Sequence, residues 1–443
     1  MTKKTNDELF SDLGADAGIT NATPAAYILT ISAERVTSFS GFSLSLSIFI
    51  RIRNGGNAMS YEIDFIGVGS EAKQDADAFC FRWADGYGKD GNPLYKIGVF
   101  DGGFEPHGKA MAQHLNKYYF DDANEEKTRD EKVIDFVFVS HPDQDHVSGL
   151  KEILEEFNVK ALYMNRPWEY VDELYEIVKD GRITLNSLEE RLKTSYSSIT
   201  VLEEIAEEKS IPIYPAFAGD VIAKRLRVLS PSKDFYLTLL AESNKTPATE
   251  VTFKSAQKVV QKIKEYLLKI FEDWNTETLH EGVTTSSENE TSTVLLGQMD
   301  DETFLLTGDA GLRALNNAMD HAEEELGIKL KDSVSFYQIP HHGGRHNVSP
   351  SILNRLVGCK VKEGSKPTKV AYVSVAKDSD HPLKVVTNAF VRRGATVYQT
   401  EGYTIWHHRG TPTRDGFTPL TAIPFAGIVE EWNDERERLE GLP

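Results

Sequence analysis

A chain of 443 residues, 40% hydrophobic and 26% charged, predicts a soluble globular protein of two or three domains, or of one domain carrying insertions. A formal net charge of −19 weighs against a surface built to coat duplex DNA, but not against a small anion or short single strand held in a local groove beside a metal ion. No apolar run approaches the roughly 20 residues of a membrane span, no basic-then-apolar leader opens the chain, and Cys80 and Cys359 are too few for a disulfide framework, so no membrane contact and a cytoplasmic setting are expected.

Residues 1–58 read as an N-terminal extension unlike the rest of the chain. Val36 to Ile52 is serine-rich, with weak alternation at Phe42, Leu44, Leu46 and Ile48. Two readings stay open: a strand added at a sheet edge, or a stretch that is not native. The second arises because Gly55-Gly56-Asn57-Ala58 before Met59 can be encoded by a purine-rich ribosome site ahead of a start codon. From Tyr61 the pattern turns orderly. Ile63–Gly69, Asp77–Trp83 and Lys96–Gly103 predict strands, and Lys109–Tyr118 predicts a helix with Met111, His114, Leu115 and Tyr118 on one face. Val133–Val139 is apolar and β-branched, as in a buried strand, and Gly149–Phe157 has helical spacing.

Between those two elements lies Ser140-His141-Pro142-Asp143-Gln144-Asp145-His146-Val147-Ser148. His141 and His146 bring imidazole nitrogen, and Asp143 and Asp145 bring hard oxygen, on a loop held by a strand on one side and a helix on the other. One histidine there would be an ordinary polar residue. The spacing His-x-Asp-x-Asp-His points instead to a metal.

Downstream, Ala161–Met164, Ile211–Tyr214 and Arg225–Pro231 predict strands among helical stretches. Residues 232–288 break the pattern and predict a helical insertion covering one edge of the site. Val259, Ile263, Tyr266, Leu267, Ile270 and Trp274 recur at threes and fours, and Asn275–Glu290 is polar and expected to be mobile. The apolar face of that helix either packs within its own bundle or binds a protein partner. Strands resume at Ser292–Leu296 and Thr303–Thr307, then at Val334–Pro340, Val370–Val375 and Thr396–Thr400. Helices are predicted between them over Leu312–Leu326, Ser349–Val357 and Leu383–Arg393. From Glu430 the chain is charged and reads as a tail or terminal helix. Candidate ligands therefore follow apolar strands at four places, 141–146, Asp309, His341 and His381, and the strand ends of a sheet share one rim.

The loop resembles the first motif of the metallo-β-lactamase superfamily, His-x-His-x-Asp-His, with Asp143 at the second histidine. Asn289-Glu290-Thr291-Ser292-Thr293, Leu306-Thr307-Gly308-Asp309-Ala310, Pro340-His341-His342-Gly343 and His381-Pro382 are similar to the soluble domain of ComEC-type DNA-internalisation competence proteins. That resemblance spans about residues 60–405 and includes no membrane channel. Phosphorylcholine esterases of the pneumococcal type share the branch.

The resemblance implies an α/β fold, an αββα sandwich with a helical insertion. Its parts would be 59–231 (first half), 232–288 (insertion), 289–405 (second half) and 406–443 (C-terminal segment). It also implies two divalent cations, Zn2+ or Mn2+. His141 and Asp143 would hold one, Asp145 and His146 the other, with Asp309 bridging and His381 as the last ligand of the second. His341 fits either a ligand or the proton donor to the leaving oxygen, the second being favoured. Asn289 stands where the superfamily usually has another histidine, which leaves the first site poorer in nitrogen, and oxygen-rich ligands shift preference from Zn2+ toward Mn2+ or Mg2+. Asp101, in a strand-end Asp-Gly-Gly, would support the ligand histidines. His342 would be structural or stand behind the ligands, and Arg345 and Lys377, close to the motifs, are the candidates to meet substrate phosphate.

Together these expectations describe a dinuclear metallohydrolase in which Asp145 orients the attacking water and His341 protonates the leaving alkoxide. The phosphodiester substrate comes from the resemblance, with single-stranded nucleic acid ahead of a nucleotide or phosphocholine-type diester; the ligands themselves would equally serve lactone or thioester hydrolysis. A partner-regulated effector subunit of a bacterial defence system, controlled through 232–288, is the alternative from another class.

Overall fold

Alternating apolar side chains build two sheets that face each other. The computed structural model describes residues 28–29, 52–53, 60–120, 127–178, 184–246, 269–300 and 302–431. The chain divides into two compact units, Met1–Ala58 and Met59–Pro443. In the first, Ile28–Leu29 pairs antiparallel with Ile52–Arg53; the rest of the serine-rich run lies outside the described residues.

In the second unit the chain first lays down β1 (Tyr61–Phe65), β2 (Ala78–Tyr87), β3 (Pro93–Gly102) and α1 (Glu105–Tyr118). There follow β4 (Phe136–Phe138), the single turn α2 (Gln144–Val147), α3 (Leu150–Glu156) and β5 (Leu162–Tyr163). Three helices, α4 (Val171–Val178), α5 (Leu185–Ser195) and α6 (Ser197–Glu208), lead to β6 (Ile213–Tyr214). Next come β7 (Val221–Ile222), β8 (Leu226–Ser230), α7 (Lys233–Glu242), α8 (Ser287–Glu290), β9 (Val294–Gln298) and β10 (Thr303–Leu306). The last stretch holds α9 (Leu312–Glu324), α10 (Leu330–Ser333), β11 (Phe336–Gln338), α11 (Pro350–Leu356), β12 (Lys369–Val373), α12 (Lys384–Arg392), β13 (Ala395–Gln399) and β14 (Ile405–Arg409).

One sheet runs β6-β5-β4-β3-β2-β1-β14 and the other β7-β8-β9-β10-β11-β12-β13. Each is antiparallel on one side and parallel on the other. In the first, β3, β4, β5 and β6 are parallel; in the second, β10, β11, β12 and β13 are. Parallel neighbours need crossovers, and the helices supply them.

The period-two pattern sorts side chains to two faces. Inner-face residues are largely aromatic: Phe79, Phe81, Trp83, Phe100 and Phe138 of the first sheet meet Leu295, Phe304, Leu306, Phe336 and Tyr372 of the second. Outer faces are aliphatic. Cys80, Val99 and Val137 pack with Met111, Leu115 and Ile153 of α1 and α3, while Val294, Leu305, Ala371 and Val373 pack with Leu315, Ile352 and Val386 of α9, α11 and α12. The result is a mixed α/β, four-layer αββα sandwich.

Three expectations change. The helix predicted through Ile270 to Trp274 does not form where it is described: Lys269–Phe271 is a strand that pairs antiparallel with Ile428–Glu430, and 272–274 follow without a regular element. The earlier part of that helix, from Val259, falls within 247–268 and so lies outside the described residues. Its last residues follow the sheet instead because Val429 is buried and Trp274 Nε1 is held by the Val361 carbonyl at 2.9 Å. Residues 275–290, expected to be mobile, are tied to α12 and the chain after it: Arg392 donates to the Thr276 carbonyl at 2.9 Å and Arg393 pairs with Glu277 at 2.6 Å, while Ser287–Glu290 forms the turn α8. Finally, Glu430 ends a strand, the rest of the segment expected as a tail or helix, 432–443, lies outside the described residues, and β14 carries the chain past 405 as part of the first sheet, against β1.

Candidate metal centre

Carboxyl ends of the parallel strands from both sheets open on one rim. Asp101 is the penultimate residue of β3, and its φ of 56° turns its side chain back over the neighbouring strand. The approach of α1 and α3 to this turn depends on Gly149, where an added Cβ would overlap the Gly102 carbonyl and the Gly108 nitrogen. Asp101 is fully buried. Its Oδ1 accepts the Ser140 N–H at 2.7 Å and its Oδ2 pairs with His146 Nδ1 at 2.8 Å. With Nδ1 occupied, His146 presents Nε2 to the rim.

Around Nε2 the other groups gather. His146 Nε2 lies 3.3 Å from Asp309 Oδ1 and 3.7 Å from Asp145 Oδ2. His141 Nε2 lies 3.6 Å from Asp143 Oδ2 and 3.8 Å from Asp309 Oδ2. Asp309 follows β10 and takes a Ser292 Oγ hydrogen-bond partner on its own N–H at 3.1 Å. Its two oxygens therefore face two histidines of the loop, one each.

His341 and His342 both have positive φ, 48° and 52°, and both rings turn toward this group. His341 Nδ1 meets Asn347 Oδ1 at 2.7 Å, so Nδ1 carries the proton, and Nε2 faces Asp309 Oδ2 at 3.7 Å. His342 Nδ1 donates to the Ser374 carbonyl at 3.0 Å, and its Nε2 faces Asp145 Oδ2 at 3.4 Å. Asp77, one residue before β2, joins from the first sheet. Gln338 of β11 holds it, donating Nε2–H to Asp77 Oδ2 at 2.7 Å while its Oε1 accepts the Thr307 and Gly308 N–H groups. Ligand-capable atoms of Asp77, His146, Asp309 and His342 all lie within 4.8 Å of one another.

This donor set fits divalent cations. His141 Nε2, His146 Nε2 and Asp309 Oδ1 are buried without a hydrogen-bond partner, a costly state for polar atoms unless something else binds them. Charge behaviour agrees. Burial pushes Asp77 up to about 7, against the opposite pull of His342 and His146. Burial would lower His342, yet Asp77, Asp145 and Asp309 outweigh it and raise the ring to about 10.

Of the other sequence candidates, His381 stands beside rather than within the cluster: its Nδ1 contacts Asp75 Oδ2 at 2.9 Å. Burial would raise Asp75, but hydrogen bonds from His381, the Ala376 N–H and Ser379, with the His342 charge, bring it down to about 2. His381 is near enough for its charge to help lower His341, after burial as the main cause. Asn289 is buried and lies 3.4 Å from His341 Nδ1. Arg345 is also buried and donates to the Glu431 carbonyl at 3.1 Å, so its guanidinium serves the C-terminal segment where a phosphate contact was expected. Sequence spacing does not single out Asp77, Asp75 or Lys245, the last of which donates to Asp143 Oδ1 at 3.1 Å.

A second buried group, Asp64, Cys80 and His114, also has ligand-capable atoms close together. Here a cation is already present. Arg414 places its guanidinium 2.8 Å from Asp64 and from Glu62, Arg82 pairs with Glu62, and Tyr119 donates to Asp64 at 2.8 Å. A cleft of about 750 Å3 lined by residues of 398–405 and 416–424 contains none of the rim residues.

Fold and rim together define a mixed α/β sandwich with a histidine–carboxylate centre, consistent with the metallo-β-lactamase fold. Residues 99–211 match the family model of the metallo-beta-lactamase superfamily, a stretch that includes Asp101 and the loop His141–His146. No curated protein matches the chain. Among solved structures, it is similar to unliganded yeast PDE1, with 11% identity, a TM-score of 0.37, and coverage of 78% of this chain and 99% of that one. It is also similar to a long form of RNase Z from yeast, with 11% identity, a TM-score of 0.32, and coverage of 78% and 41%. Among the described residues, no helix is long and apolar enough to cross a membrane.

Proposed function

We propose that this chain is a dinuclear metallohydrolase that cleaves phosphodiester bonds. The observation that carries the reading is the convergence of three buried, unpartnered donor atoms, His141 Nε2, His146 Nε2 and Asp309 Oδ1, from two sheets onto one rim. His141, Asp143, Asp309 and His341 would hold one cation, and Asp145, His146, Asp309 and His342 the other, with Asp77 beside the second. Zn2+ or Mn2+ bound there would make water nucleophilic near neutral pH and stabilise charge on the phosphoryl group.

The protein's own residues divide the remaining work. Asp101 and the Ser374 carbonyl fix the His146 and His342 tautomers, and Asn347 fixes His341. That tautomer suits His341 better as a ligand than as the acid. His381, steadied by Asp75 and part exposed, is the better candidate to hand a proton from Nε2 to the leaving oxygen. Asp145, 27% exposed, would accept a hydrogen bond from the attacking water and orient it.

The resemblance to ComEC-type domains supports a phosphodiester, with single-stranded nucleic acid first. The test is a panel of oligonucleotides and small chromogenic diesters with Mn2+ or Zn2+. Metal-dependent cleavage of single strands that is lost in His141→Ala and Asp309→Asn is expected. Turnover of small diesters alone would move the substrate to that class, and no phosphodiester turnover with both sites loaded would reject the reading.

A further inference from the structure

We propose that Lys245 is the phosphate-binding residue of this centre, contributed by the segment after α7. The proposal rests on the phosphodiester reading and names the group that meets the anion. Asp77, Asp143, Asp145 and Asp309 place four carboxylates at the rim. Set against so many carboxylates, two divalent cations leave little net positive charge for a phosphodiester anion, and a nearby ammonium adds to it. Of the two cations the sequence offers, Arg345 and Lys377, Arg345 is buried and donates to the Glu431 carbonyl.

Lys245 is placed to supply that charge. Its ammonium donates to Asp143 Oδ1 at 3.1 Å, while the other Asp143 oxygen faces His141. An ammonium carries three donors, and among the described residues Asp143 is the hydrogen-bond acceptor shown for it. The side chain is 36% exposed, so the remaining donors are open to a ligand at the rim.

The backbone that carries Lys245 is held from several sides. Ser195 Oγ donates to the Lys245 carbonyl at 3.1 Å, and the Lys245 N–H donates to Ser243 Oγ at 3.0 Å. Buried Ser243 in turn donates to Glu288 and meets the Tyr196 hydroxyl at 3.3 Å. The ammonium lies 5.5 Å from the centre of the Tyr196 ring, a contact that steadies a cation without consuming its donors. A lysine anchored this way keeps its charge at the rim at little entropic cost.

The test compares the full-length wild type, Lys245→Met and Lys245→Arg, each loaded with Mn2+. Metal content is read by elemental analysis, inorganic phosphate binding by calorimetry, and diester hydrolysis by kcat and KM. Lys245→Met is expected to keep its metal and to bind phosphate about tenfold or more weaker, as for loss of a charged hydrogen bond. KM should rise more than kcat falls, and Lys245→Arg should recover most of the phosphate affinity. Unchanged phosphate binding in Lys245→Met, or no phosphate binding by the metal-loaded wild type, overturns the proposal. So does a parallel loss of metal, which would make the lysine a support for Asp143 alone. Because phosphate titration needs no turnover, failure of the diester assays would reject the phosphodiesterase reading while leaving the Lys245 result readable.

Discussion

Asp101 accepts the Ser140 N–H with one oxygen and pairs His146 Nδ1 with the other. One buried carboxylate thus sets both the start of the loop and the ring that closes it. Asp101→Asn keeps an acceptor for Ser140 but turns an amide N–H toward His146 Nδ1, favouring the tautomer whose Nε2 carries the proton. Metal binding should weaken by about 10–100-fold, as for other groups that orient ligand histidines, with the fold retained by circular dichroism; unchanged affinity in a metal titration would remove this role. His381 and His341 can be separated by leaving group. If His381 is the acid, His381→Ala should slow diesters with alkoxide leaving groups by about 10²–10⁴-fold and p-nitrophenyl diesters far less, at constant metal content. His341→Ala should instead lose metal. A sequence search for ligands after strands reaches 141–146, Asp309 and His341, but passes over Asp77, which precedes β2. Since β2 runs antiparallel to β3, its first residue lies on the same rim as the last of β3, where Ala78 pairs with Gly102. His342 reads as support in the sequence because adjacent residues ordinarily point apart. Two successive positive φ values bring both rings inward, and no spacing rule announces that.

The two sheets use the same packing device. Phe81 of β2 lies over Gly98 of β3, and Phe304 of β10 lies over Gly297 of β9; in each case an added Cβ would strike the ring. The two rings then meet across the sandwich with centroids 5.8 Å apart. Gly297→Ala should displace Phe304 and cost about 1–3 kcal/mol, the usual range for overpacking a core, measured by urea denaturation. Between the sheets at one edge, Glu302 meets His407 at 3.2 Å, and the Tyr61 hydroxyl contacts the same ring at 3.0 Å. Burial raises Glu302, but hydrogen bonds from His407 and Tyr61 and the charges of His407 and Arg409 outweigh it, bringing it down to about 2 from 4.5. A carboxyl with a depressed folded value stabilises fully above its unfolded value and loses that contribution as pH falls through the folded one. Wild type should therefore exceed Glu302→Gln by on the order of 2 kcal/mol at pH 6, and the gap should close by about pH 2. A gap that does not vary with pH would mean the charge is not what stabilises. Elements of this kind are legible where alternation is strong, as in β2, β9 and β10. The helix predicted through Trp274 fails at its end because threes and fours in an apolar run do not report a strand partner about 160 residues away, here Val429 against Ile270.

At the scale of the molecule, the C-terminal stretch closes the first sheet and is locked there by charge. Arg414 is buried against Glu62 and Asp64 of β1 and lies 4.7 Å from the centre of the Trp406 ring. Arg414→Met would leave Glu62 to Arg82 and the Trp406 indole N–H, and Asp64 to His114 and Tyr119, and should cost about 3–5 kcal/mol, as for breaking one side of a buried pair. Urea denaturation would read it, and a loss under about 1 kcal/mol would place the pair with surface bridges. Closure by β14 also has a consequence in time. Trp406 of β14 donates to Glu62 of β1 across 344 residues, so a nascent chain moving at about 5–20 residues per second holds β1 exposed for roughly 20–70 seconds before its neighbour exists. During that interval the edge of β1 is open to any extended chain nearby. Synthesis thus adds a window for edge pairing that the finished sandwich, with β1 covered by β14, no longer offers at that strand.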